Sequence, residues 1–120
     1  MDTVNYPRRG QIYFIDFKDT EGRAIREPHP ALVVQNNTAN RHSGVILVVP
    51  LTSNLRVAEL PVGVLIGPPE GGLKKTSVIH CGQIHTVDRS EFTPERLAGQ
   101  ISPLSIQKVE RALRISLGLL

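Results

Sequence analysis

The 120-residue chain has a single cysteine, Cys81, a single methionine and no tryptophan. One cysteine cannot close an intramolecular disulfide, which suits a reducing compartment, and it cannot supply the cysteine pairs of a structural zinc site. Aromatic residues make up 4% of the chain, too few for aromatic stacking platforms to dominate a nucleic-acid surface. No apolar run approaches the ~20 residues of a membrane-spanning helix. The segment Met1-Asp2-Thr3-Val4-Asn5-Tyr6 has no basic stretch ahead of an apolar one, so it does not read as a signal peptide. These absences lead to the expectation of one cytoplasmic domain over residues 1–120, with no membrane attachment.

What is present is ordinary for a globular domain: 40% hydrophobic and 21% charged residues. The net charge is +3 and the pI about 9.4, a mild pointer to a polyanionic partner. Strands are expected over 11–17, 31–36, 45–51, 62–66 and 77–81, where β-branched and apolar residues concentrate. Pro50 cannot donate to a ladder, which places it near a sheet edge or a bulge. Gly82 reads as a bulge, with Gln83–Val87 continuing or following the strand before it. Residues 36–44 read as turn material, residues 54–61 stay ambiguous, and 67–72 form a Gly/Pro break. The Lys18–Pro30 stretch is a long polar loop of the kind that often carries function.

Thr93-Pro94-Glu95 signals a short helix reaching about Gly99. Ser102-Pro103 opens a second helix over about 103–117. There Ile106, Val109, Leu113 and Leu117 form one apolar stripe, and Gly118 stops it. Lys108, Arg111 and Arg114 lie off the stripe as a solvated face. Strands followed by C-terminal helices predict a mainly β domain, a strongly bent sheet or small barrel with helices packed on it.

The order of these elements resembles the MazF/PemK (Kid) family of toxins. Several strings carry the resemblance: Arg9-Gly10-Gln11-Ile12-Tyr13-Phe14, Pro30-Ala31-Leu32-Val33-Val34-Gln35-Asn36, Asn40-Arg41 and Pro50-Leu51-Thr52-Ser53. Ser77-Val78-Ile79, Gln83-Ile84-His85-Thr86-Val87-Asp88 and Val109–Leu119 extend it over roughly residues 8 to 119. The resemblance implies an SH3-like barrel of the CcdB/PemK type, a homodimer, and metal-independent cleavage of single-stranded RNA by a type II toxin–antitoxin endoribonuclease. It also implies a cognate MazE-like antitoxin whose tail covers the RNA groove.

Self-cleavage of RNA by its 2′-hydroxyl needs a base, an acid and donors around the charged phosphorane. Thr52 matches the threonine that the family uses at the scissile phosphate; the plainer reading is a strand-end hydroxyl tying down a turn. His29 stands where the family usually has a catalytic arginine. Histidine can move a proton near neutral pH, whereas arginine stabilises charge. The same departure also fits a slowed or inactive site. Arg26, three residues earlier, can reach the same phosphate. The expected catalytic set is therefore Thr52, His29 and Arg26, with Arg9, Arg23, Ser53, Gln83 and His80 as RNA-binding residues. His80, Gly82 and His85 replace the Arg-x-Asp and arginine of the Kid branch, so the Kid acid–base scheme is not followed. His80 and His85 with no nearby acid make a poor metal site, and no metal or other cofactor is expected. Gly71–Thr76 lacks the spacing of a phosphate loop, although Lys74-Lys75 can attract RNA. Two other functions stay open from sequence: a nuclease-dead homologue that binds antitoxin or RNA, and a CcdB-like gyrase-binding toxin.

Overall fold

The apolar runs and alternations form an antiparallel framework. The computed structural model describes residues 5–17 and 28–119. Its strands are β1 (Gln11–Ile15), β2 (His29–Val33), β3 (Val45–Thr52), β4 (Gly63–Ile66), β5 (Ser77–His80), β6 (His85–Asp88) and β7 (Leu97–Gln100). Two α-helices accompany them among the described residues, α1 (Asn37–His42) and α2 (Pro103–Leu117). The strands run in the order β4-β5-β3-β2-β1-β7, and β6 joins β3. The result is a mainly antiparallel β half-barrel closed by a C-terminal helix.

β3 organises the sheet. Along one edge it bonds β2, with Ala31 opposite Pro50 and Val33 opposite Val48. Along the other it bonds β6 from Val45 to Val48, then β5 at Leu51 and Thr52. Pro50 falls in the interval where one partner has ended and the next has not begun. The expectation of an edge or bulge is corrected accordingly: the strand is central, and the missing N–H is tolerated in a gap between neighbours.

Strand side chains alternate between two faces. Ile12, Leu32, Val49, Leu51, Val64, Ile66 and Ile79 fill one core, onto which α2 lays Val109 and Ala112. Tyr13, Ile15, Phe17, Ala31, Val33, Ile46, Val48 and Val87 fill the other, with Phe92 packed against it. Each fully buried Leu, Ile or Val in these cores contributes about 1.5–3 kcal/mol. Arg9 ties α2 to the sheet, its Nε donating to the Val34 carbonyl at 3.0 Å and its Nη1 reaching Glu110 Oε2 at 2.8 Å.

α2 is built as its sequence signals. The Ser102 hydroxyl accepts from the Ser105 N–H, Pro103 occupies the first turn, and Gly118 takes a left-handed φ of 69°. Leu117, at the end of the expected stripe, is exposed. Glu70 adds a clamp, its Oε2 accepting the Ser102 N–H at 2.8 Å. Hydrogen bonds from Ser105 and from the Ser102 backbone hold the Glu70 carboxyl below its usual range. A carboxyl lowered by folding adds stability above its unfolded pKa, and that stability is lost as pH falls through the folded value. Glu70→Ala should therefore cost about 1 kcal/mol near neutrality, reduced from the buried case by solvent. The cost should vanish in acid. Urea midpoints of both proteins at neutral and acid pH measure it, and an equal gap at both would refute the clamp.

Other sequence expectations are corrected. Residues 36–44 include α1, capped by the Asn36 side chain, which accepts from the Ala39 N–H. Arg89 donates to the carbonyls of Asn40 and Ser43 at the end of that helix. The short helix over 93–99 is instead a 3-10 turn at Pro94–Arg96 followed by β7, so one α-helix, not two, closes the described chain. β7 forms because β1 offers Gln11 and Tyr13 as pairing partners to Gln100 and Leu97. Gly82 is not a bulge within one strand. It lies in the turn between β5 and β6, which pair with different stretches of β3. The ambiguous segment contains a 3-10 turn, Leu55–Glu59, capped by Asn54. β1 is shorter than expected, and β2 starts two residues earlier. Among the described residues no helix is long and apolar enough to cross a membrane.

Candidate active site

Thr52 is the last residue of β3 and half-buried. Val49 and Leu51 point into the α2-side core, and Val48 into the other, so alternation sends Thr52 to the face of Val48. The Asn54 backbone N–H donates to Thr52 Oγ1 at 3.1 Å. That bond uses a lone pair and leaves the hydroxyl proton for an outside acceptor. The Asn54 side chain in turn accepts from the Arg56 N–H, which fixes the turn after the strand.

Strand register brings histidines to the same face. The β2–β3 pairing, carried one pleat past Ala31 and Pro50, places His29 level with Thr52. His29 also pairs with Ile15 of β1, which points into the same core, and is exposed. His85 sits opposite Val48 and is exposed, its ring 5.0 Å from that of Phe17 at a tilt of 56°. Val78 lies opposite Thr52, and His80 follows two residues later on that side. The His80 Nδ1 accepts from the Gly82 N–H at 3.1 Å, so the neutral ring carries its proton on Nε2. A Cβ at Gly82 would sit 2.8 Å from the His80 ring, hence the glycine admits this ring position. One rim thus carries a hydroxyl donor and three imidazoles, and none of the strand residues on this face is a carboxylate.

Several expected residues join this cluster and others do not. Thr52, His29 and His80 share the face. Ser53 and Gln83 are exposed in the turns that follow β3 and β5. Arg9 lies beside Val34, at the end of β2 opposite His29, engaged with Glu110. Arg23 and Arg26 lie outside the described residues. His85 was not among the expected site residues; its signal, a histidine in an alternating strand, becomes informative only once Phe17 is seen against it. Cys81 is fully buried, and burial pushes its thiol up to about 12, so it supplies no thiolate nucleophile. Among the described residues no group of three or more His, Cys, Asp or Glu side chains is placed to hold a metal ion.

Such a rim can donate a hydrogen bond to an oxyanion and move protons through imidazole. Known proteins share the whole framework. The chain is 35% identical over 116 residues to the endoribonuclease EndoA of Bacillus subtilis (strain 168), covering 94% of this chain and 96% of that protein. It superposes on an endoribonuclease from a mycobacterial species with a TM-score of 0.78 at 30% identity, covering 98% and 97% of the two chains. A second mycobacterial structure, an endoribonuclease in complex with its cognate antitoxin, gives 0.79 at 31% identity, covering 95% and 97%. Residues 8–117 match the family model described as PemK-like, MazF-like toxin of type II toxin-antitoxin system, and the chain belongs to that family.

Proposed function

We propose that this toxin is an endoribonuclease that cuts single-stranded RNA without a metal, acting in the cytoplasm as a homodimer of single-domain chains. The substrate 2′-hydroxyl attacks the adjacent phosphorus. Its proton passes to a base, the bond to the 5′-oxygen breaks, and that oxygen takes a proton as it leaves. The products are a 2′,3′-cyclic phosphate and a 5′-hydroxyl. The observation that carries this reading is the Thr52 hydroxyl, turned out by the Asn54 N–H beside the level of His29. Thr52 donates to a non-bridging oxygen, and His29 moves a proton. Arg26 balances charge, and Arg23, Ser53, Gln83 and His80 contact the RNA chain. A MazE-like antitoxin with an acidic segment competes for the same surface. The antitoxin complex of the mycobacterial relative supports that partner.

The test is cleavage of labelled single-stranded RNA in the presence of EDTA. Cleavage should persist and yield cyclic phosphate ends. His29→Arg should lower the rate, because a guanidinium holds charge but does not exchange a proton as imidazole does. A faster His29→Arg enzyme would mean that histidine marks a decayed site. No cleavage by either protein would end the nuclease reading.

A further inference from the structure

On the opposite face from Thr52, the same strand ends enclose a groove of about 690 Å³ lined by Phe14, Pro30, Leu73, Lys74, Lys75 and Ala98, among others. Phe14 leaves 40% of its surface open. Lys74 and Lys75 are exposed and form no ion pair among the described residues. The walls are firmly set. The Gly72 backbone is pressed on Ala98, so closely that a Cβ there would lie 1.9 Å from the Ala98 carbonyl oxygen. The buried Ser77 hydroxyl donates to the Lys75 carbonyl at 3.2 Å.

The groove is one residue from the candidate active site on two strands. Pro30 follows His29 on β2. Ser77, also on the groove wall, precedes Val78, which faces Thr52 across β5 and β3. Pro30 and Ser77 thus lie at the same strand ends as His29 and Val78, on the other face of the sheet. One open aromatic ring beside two free ammonium groups matches a base and its phosphates.

We infer that this groove is an RNA subsite that holds a nucleotide flanking the scissile phosphate, Phe14 stacking its base and Lys74 and Lys75 meeting its phosphates. The inference rests on the RNA-cutting reading above. Its test uses a 2′-O-methyl RNA dodecamer of mixed sequence, which binds but lacks the attacking hydroxyl. Single-strand affinity falls with salt by a log–log slope of about 0.7 per neutralised phosphate. Lys74→Ala with Lys75→Ala should therefore flatten the slope by about 1.4. Phe14→Leu, which keeps apolar bulk but removes the ring, should weaken binding about tenfold with the slope unchanged.

A parent that cuts RNA, together with variants that bind the dodecamer as the parent does, would overturn the subsite alone. A parent that cuts no RNA would overturn the cleavage reading and the subsite with it. Variants that lose affinity for an acidic antitoxin peptide while keeping the parental RNA slope would assign the groove to the protein partner and overturn the proposal. Circular dichroism melts identify any variant that has lost its fold; Lys75→Gln then replaces the double variant, with an expected flattening of about 0.7.

Discussion

Thr52→Ala should lower the rate of RNA cleavage by about 10²–10³-fold, the usual cost of removing one donor from an oxyanion site. Stability should hardly move. Thr52 is half-buried at a strand end, and the deleted hydroxyl accepts one bond, from the Asn54 N–H. Such a bond has a net worth of about 1 kcal/mol, and the exposed turn lets water replace it. Thr52→Ser keeps the hydroxyl and should recover most of the rate. Single-turnover cleavage of labelled RNA, with melting curves alongside, separates the outcomes. An alanine enzyme as fast as the parent removes Thr52 from the chemistry. An alanine enzyme that is slow only because it has unfolded makes the hydroxyl a turn-former.

The largest loss of stability is expected from Gly72→Ala. Gly72 has φ of +73°, where a Cβ costs about 1–2 kcal/mol. The added carbon would also lie 1.9 Å from the Ala98 carbonyl oxygen and 2.6 Å from its carbon. Both are backbone atoms, and β7 is held in place by its ladder to β1. The turn or the edge strand must therefore shift, for a total above about 3 kcal/mol. Gly118→Ala is the control. Its φ is +69°, and open space surrounds its would-be Cβ, so it carries the conformational cost without the collision. Guanidinium titrations of the three proteins should place Gly118→Ala about 1–2 kcal/mol below the parent and Gly72→Ala well below that. Equal losses would show that the close approach yields freely.

The framework was readable where apolar patterning is strong. The runs at 31–33, 45–49 and 77–79 became strands that feed the two cores, although β2 ends at Val33 rather than at residue 36, and the Ser102-Pro103 start and Gly118 stop bound α2. Reading failed where a local signal competed with a distant one. Asn36-Asn37-Thr38 looks like a turn, yet Asn36 caps a helix whose Asn40 is buried and bonded to Gln35. Thr93-Pro94 does start a helical turn, but the free edge of β1 captures Leu97–Gln100 as a strand. At the site, Thr52 and His29 were named through family likeness, and only the strand register puts them level. His85 was passed over because its neighbour Phe17 lies far away in the sequence. The same distance hid the groove, whose walls come from four separate strands and one turn.

The placement of β3 has a consequence for how the protein is made. Val45 must wait for Asp88 before its ladder closes, and Thr52 for Val78. Arg9 finds Glu110 only near the end of the described chain. Pairings this remote in sequence form late, after the loop-closure entropy of the intervening chain has been overcome. A ribosome therefore exposes Thr52 well before β5 and β6, which bring His80 and His85 to its face, have been made. The rim is complete only once β6 has emerged, so a translation product interrupted before β5 carries Thr52 without two of the three imidazoles on its face.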